Sequence, residues 1–184
     1  MSSSNCLTKT TVLGALALAC GLMYTAPATA QTATRSYYQN AGGSCHGVDQ
    51  NNDSKLLRNG SRLKNINDTV SADVVCNLIT DAFADAISGG VVTGSWLWVR
   101  RSEIRGDNTA ITCTMTTSYA GDPNGTGVTK TVNLPNGLSQ GVVSFVPDPG
   151  TRFLAPVNIR CKLPPKTELN DWLLTYEEQT FNPV

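Results

Sequence analysis

The chain predicts an all-β fold: an antiparallel β-sandwich, jelly-roll-like or immunoglobulin-like, with at most one short helix. Three observations carry that reading. From residue 70 onward about eight short apolar or alternating runs recur, with Gly, Pro, Asn and Asp between them. Two of the runs alternate strictly: Ile111, Cys113 and Met115 against Thr112, Thr114 and Thr116, and Val157, Ile159, Cys161 and Leu163 against Asn158, Arg160 and Lys162. The composition favours Thr, Val, Ser, Gly and Asn over Glu and Lys, which suits pleated, half-buried surfaces.

The first segment lies outside that fold. Residues 1–30 have the anatomy of a signal peptide: Lys9 supplies the positive start, Thr11 to Tyr24 are largely apolar, and Ala28-Thr29-Ala30 is a cleavage site before Gln31. A membrane anchor needs roughly 20 apolar residues, and this run is shorter. A lipoprotein signal ending at Cys20 would place Leu where Ala17 stands, and here the apolar run continues through Leu22 and Met23. Soluble export, to the periplasm or the extracellular space, is the expectation. Three parts follow: signal peptide 1–30, a flexible leader 31–44 containing Tyr37-Tyr38, and a single disulfide-stapled domain 45–184.

Within the domain the elements are expected in this order. Val70 to Ile79 is a strand carrying Cys76, and Thr80 to Ile87 suits a two-turn helix capped by Thr80 or Asp81 and stopped by Gly89-Gly90. Strands follow at Val91 to Arg101 and Thr109 to Tyr119. Gly121-Asp-Pro-Asn-Gly125 then marks a turn. Val128 to Leu134, Gly141 to Val146 and the alternating run at 157–163 are three more strands, separated by Pro135-Asn-Gly137 and Pro147-Asp-Pro-Gly150. Pro164-Pro165 ends the third of these, because proline donates no ladder hydrogen bond, and Leu169 to Glu177 makes the last.

Cleavage removes Cys6 and Cys20 and leaves Cys45, Cys76, Cys113 and Cys161, an even number sent to an oxidising compartment. Four cysteines permit three pairings. Cys113–Cys161 with Cys45–Cys76 is the favoured one, since the first two both sit on inward positions of alternating strands. Each favoured bridge would be worth about 4 kcal/mol by loop entropy. The spacings contain no paired C-x-x-C knuckle, so zinc is not expected, nor any other metal or cofactor. The mature chain carries 13 Lys and Arg against 14 Asp and Glu, with no basic tract, which argues against nucleic acid as a partner. No mature segment is apolar enough to span a membrane.

Several short motifs combine with the signal peptide: Asn65 ahead of Val74-Val75-Cys76-Asn77-Leu78, Ile111-Thr-Cys113, and Ile159-Arg-Cys161-Lys-Leu-Pro164-Pro165 before Tyr176-Glu177-Glu178. In these the chain resembles small secreted proteins of Gram-negative bacteria that carry C-x-L-P-P near the C-terminus and are generally described as uncharacterised. The resemblance covers roughly residues 45–178. It implies a β-sandwich and carries over no catalytic residue. The bacterial source that the resemblance implies removes any weight from the glycosylation triplets at Asn52, Asn59, Asn67 and Asn124.

Four features have chemical potential. His46 is the only histidine, so any Ser-His-Asp or Cys-His mechanism must use it, yet it follows Cys45 and reads as a surface residue beside a disulfide. It lacks the first cysteine of a haem-attachment motif. Asp49, Asn51 and Asp53 have the alternate oxygens of a calcium loop, but Ser54 replaces its Gly and Gly60 its bidentate Glu, so a solvated loop is expected. Trp96 and Trp98 share one face of a strand, opposite Leu97 and Val99. Facing the core they are packing; facing out they form a stacking platform for sugar rings or a partner protein. Carboxylate pairs such as Asp81 and Asp85 show no catalytic spacing, and Glu177-Glu178 reads as a charged strand edge.

The expected function is therefore that of an exported, non-enzymatic β-sandwich, a structural or interaction module of the cell envelope or extracellular space with a protein or glycan partner. The alternative is a carbohydrate- or ligand-binding module using Trp96 and Trp98. A hydrolase would need His46 or a carboxylate pair to line a pocket, and a pilin would need an alternating apolar donor strand that residues 31–43 lack.

Overall fold

Alternation of buried and exposed side chains builds the strands, and their pairing builds two sheets. The computed structural model describes residues 31–77, 91–104, 106–117, 126–149, 153–154 and 157–180, and residues 32–179 belong to one compact unit. In chain order the elements are β1 (Gln31–Asn40), α1 (Ala41–Ser44), β2 (Cys45–Gly47), α2 (Gln50–Asp53), β3 (Leu56–Asn59) and β4 (Arg62–Asn65). Then come β5 (Ala72–Asn77), β6 (Val91–Arg101), β7 (Thr109–Thr117), β8 (Thr126–Leu134), β9 (Gln140–Phe145), β10 (Phe153–Leu154), β11 (Val157–Leu163) and β12 (Thr167–Thr180).

The strands expected from alternation are present within one to three residues at each described end. Residues 31–44, read from the sequence as a flexible leader, instead form β1 and α1, because β1 pairs with β12. Among the described residues the helices are two single turns, each capped by a side chain: Asn40 Oδ1 accepts from Gly43 N and Asp49 Oδ1 from Asn52 N. The two-turn helix expected over 80–87 lies outside the described residues.

One sheet has seven strands and runs β10-β6-β12-β4-β3, with β1 also on β12 and β9 also on β6. The other has five and runs β2-β5-β11-β7-β8. Without the flanking strands β1, β2, β3 and β10, the orders are β4-β12-β6-β9 and β5-β11-β7-β8. The chain changes sheet at every step except the β7–β8 hairpin, and the last strand returns between the first and third. That winding is a jelly roll, not the immunoglobulin order.

The core lies between the sheets. From the seven-stranded sheet come Leu97, Val99, Phe145, Leu169, Trp172, Leu174 and Tyr176, and from the other Val74, Ile111, Met115, Ile159 and Leu163, all buried. Trp172 places its one polar atom by donating Nε1–H to Ser95 Oγ at 2.7 Å. Arg101, also buried, closes one end by donating to Asp107 and to the Pro135 carbonyl.

Both favoured disulfides are present, Cys45–Cys76 and Cys113–Cys161. Cys45 stands opposite Cys76 on β2 and β5, and Cys113 opposite Cys161 on β7 and β11, with Cα separations of 4.1 and 4.0 Å. Both therefore staple neighbouring strands of the five-stranded sheet. Among the described residues no helix is long and apolar enough to cross a membrane.

Candidate functional site

Strand β6 carries large apolar side chains on both faces, so its burial is a competition. Leu97 and Val99 take the core side, and Trp96 and Trp98 are left half-buried on the outer face of the seven-stranded sheet. Antiparallel pairing sets their neighbours. Trp98 lies opposite Val142 of β9, which is 40% exposed, and Trp96 lies between Ser144 of β9 and Leu173 of β12. The Trp98 ring stacks on Tyr38 of β1 with centroids 6.1 Å apart and planes 19° apart. Trp96 folds back over Gly94: a Cβ there would collide with its six-membered ring. Gly94 thus makes room for the indole on the sheet surface.

Arg100 is the next outward residue of β6, and opposite it on β12 is Glu168. Glu168 is 4% exposed. Its Oε1 accepts from Arg100 Nε and lies 3.7 Å from Arg62 Nη1 on β4. Two guanidinium groups, each partly open to solvent, therefore share one carboxylate beside Trp98. The β12 register shifts between Leu169 and Trp172, so Asn170 and Asp171 bulge next to the same row. Asn170 Oδ1 is buried there without a hydrogen-bond partner, as is Gln39 Oε1 next to Tyr38 on β1.

The other residues singled out from sequence do not converge. His46 is exposed on the edge strand β2, beside the Cys45–Cys76 bridge, in an open hollow of about 430 Å³ that it shares with Tyr37, Tyr38 and Asn77. Asp49 and Asp53 serve the local turn. Asp49 caps α2 and binds Asn52 Nδ2 at 3.0 Å; Asp53 accepts from Gly47 N and from Arg58, both at 3.0 Å. The Gly47 hydrogen bond, aided by Arg58, holds the Asp53 carboxyl below its ordinary pKa. Asn51 uses its carbonyl to accept from Ser54. Among the described residues no group of three or more His, Cys, Asp and Glu is placed to hold a metal ion. Glu177 belongs to β12, an interior strand, so it does not guard a sheet edge. Asp81 and Asp85 lie outside the described residues.

One motif escapes the sequence reading. Gly137-Leu-Ser139-Gln-Gly141 has the spacing of a nucleophile elbow, which requires a strand–turn–helix. Here it leads into strand β9, and Ser139 donates Oγ–H to the Pro135 carbonyl at 2.9 Å. Tyr38, Arg62 and Glu168 were also missed as neighbours of the tryptophans. The Tyr37-Tyr38 pair within an otherwise polar leader was the one available signal.

No family model and no curated protein matches the chain. Among solved structures it is similar to a family two carbohydrate esterase from Cellvibrio japonicus (TM-score 0.42, 9% identity, 84% of this chain). It spans 37% of that chain. A CBM4 structure (TM-score 0.32, 9% identity) covers 79% of this chain and 86% of its own. TmCBM61, in complex with β-1,4-galactotriose (TM-score 0.33, 11% identity), covers 81% of this chain and 88% of its own. Likenesses this distant carry no functional argument.

Proposed function

We propose that this chain is an exported, non-enzymatic binding module that presents the outer face of its seven-stranded sheet to a glycan. One observation carries the reading: Trp96 and Trp98 occupy successive outward positions of β6, and Tyr38 stacks on the second. Aromatic faces attract the C–H-rich faces of pyranose rings, and a row of them on a rigid sheet suits an extended sugar chain better than a compact metabolite. Two buried disulfides and the signal-like residues 1–30 support export.

The test is affinity gel electrophoresis of residues 31–184 in gels containing soluble polysaccharides, together with tryptophan fluorescence titration. We expect at least one polysaccharide to retard the protein and change its emission, and Trp96→Ala and Trp98→Ala each to weaken that binding roughly tenfold or more. Unchanged mobility and emission across neutral and acidic polysaccharides would overturn the reading.

A further inference from the structure

We infer that the aromatic face selects glycans bearing an anionic substituent, a sugar carboxylate or sulfate, and that Arg62 and Arg100 read that charge; this rests on the glycan-binding reading above. Trp96, Trp98 and Arg100 are alternate residues of β6 and so point the same way, with Arg100 about 7 Å beyond Trp98 along the strand. Arg100 is therefore within reach of an exocyclic group on a pyranose held at Trp98.

The charge arithmetic favours an anion. Among the described residues Glu168 is the one carboxylate paired with both guanidinium groups, so this trio carries one net positive charge. Glu168 accepts from Arg100 Nε; among the described residues the Nη1 and Nη2 donors of Arg100 have no hydrogen-bond partner and Arg62 makes only its 3.7 Å ion pair. Their side chains are 34% and 43% exposed, open enough for a ligand to reach. Glu168 holds Arg100 on the sheet with Arg62 beside it, and the remaining guanidinium donors suit the paired oxygens of a carboxylate or sulfate. Asp171, exposed on the neighbouring bulge, and Glu103, paired with Lys64 across from Glu168 on β4, are carboxylates of this region that would oppose an anion.

The experiment compares four probes by calorimetry and tryptophan fluorescence at low and high salt: an oligogalacturonate, its carboxyl-reduced neutral counterpart, a heparin-derived hexasaccharide and an oligothymidylate. The acidic sugar that binds, carboxylated or sulfated, should do so about tenfold more tightly than the neutral form, with the gap closing in high salt. Arg62→Gln and Arg100→Gln should each narrow that gap several-fold. Arg62→Gln keeps the Arg100–Glu168 pair, so it carries the test alone if the Arg100 variant does not fold. Equal binding of acidic and neutral forms would overturn the anion reading and leave glycan binding standing. Binding of none of the sugars would overturn both. Tight binding of oligothymidylate would overturn it in favour of phosphate recognition.

Discussion

Gly94 and Trp96 show how a single missing side chain shapes the face. The indole lies where a Cβ at position 94 would stand, and the colliding atoms are the far end of a rotatable side chain. Gly94→Ala should therefore lift the ring from the sheet at little cost to folding. The near-ultraviolet circular dichroism and tryptophan emission should change while the urea midpoint moves little; an unchanged spectrum would show that the ring does not rest there. Asp53 makes a different kind of prediction. Its hydrogen bond from Gly47 N and its contact with Arg58 lower its pKa below the ordinary 3.8. A carboxyl whose folded pKa is depressed stabilises the fold above its unfolded pKa, and that stability is lost as pH falls through the folded value. The stability gap between the native chain and Asp53→Asn should thus shrink as pH is lowered from about 5 to about 2, measured by urea unfolding. A gap constant with pH would remove the carboxylate from this role. Both residues stood in plain view in the sequence. The indole's partner did not, because nothing local says which face of β6 is buried.

Among the elements, β4 and the β11–β12 turn are joined through Asn65. It is fully buried, its Nδ2 donates to the carbonyls of Val70, Leu163 and Pro164, and its Oδ1 accepts from Asn67 N. Asn65→Leu would leave those groups unpaired inside the fold and should cost about 2–3 kcal/mol, read as a lowered urea midpoint. The same turn holds Lys166 at φ 57°, a left-handed conformation unusual for a residue with a side chain. It is held there by Nζ, which bonds the Ile66 carbonyl at 2.8 Å and reaches Asp68 at 3.0 Å, while its backbone N donates to the Asn65 carbonyl. Lys166→Ala keeps the strained backbone and loses the anchors, so it should destabilise more than Lys166→Gly, which relieves the strain. The reverse order in thermal unfolding would mean that the left-handed backbone at Lys166 carries no strain. Alternation located β5 through β9, β11 and β12 because each buries one face. It missed β1 through β4 and β10, which are short, polar or held at a margin. The β3–β4 hairpin nonetheless had a turn signal in Asn59-Gly60, and Gly60 adopts φ 59°.

Across the whole molecule, stability is distributed unevenly between the sheets. Both disulfides lie in the five-stranded sheet, closing loops of 31 and 48 residues, while the seven-stranded sheet that bears the aromatic face has none. Each bridge is worth about 4 kcal/mol in the loop-entropy model. Replacing Cys113 and Cys161 together by Ala should lower unfolding free energy by an amount of that order, and so should replacing Cys45 and Cys76. A much smaller loss in either pair, by equilibrium denaturation, would show that its loop is already restricted in the unfolded chain. The sequence by itself determined the all-β class, the strands that alternate, and the inward placement of Cys113 and Cys161, because period-2 patterning and composition are local properties. The tertiary structure alone decided three things. It wound the strands as a jelly roll, it turned Trp96 and Trp98 outward in place of Leu97 and Val99, and it brought Tyr38, Arg62 and Glu168 to their side. The physical reason is that a strand apolar on both faces buries whichever one meets the opposite sheet, and that choice depends on partners far away in the chain.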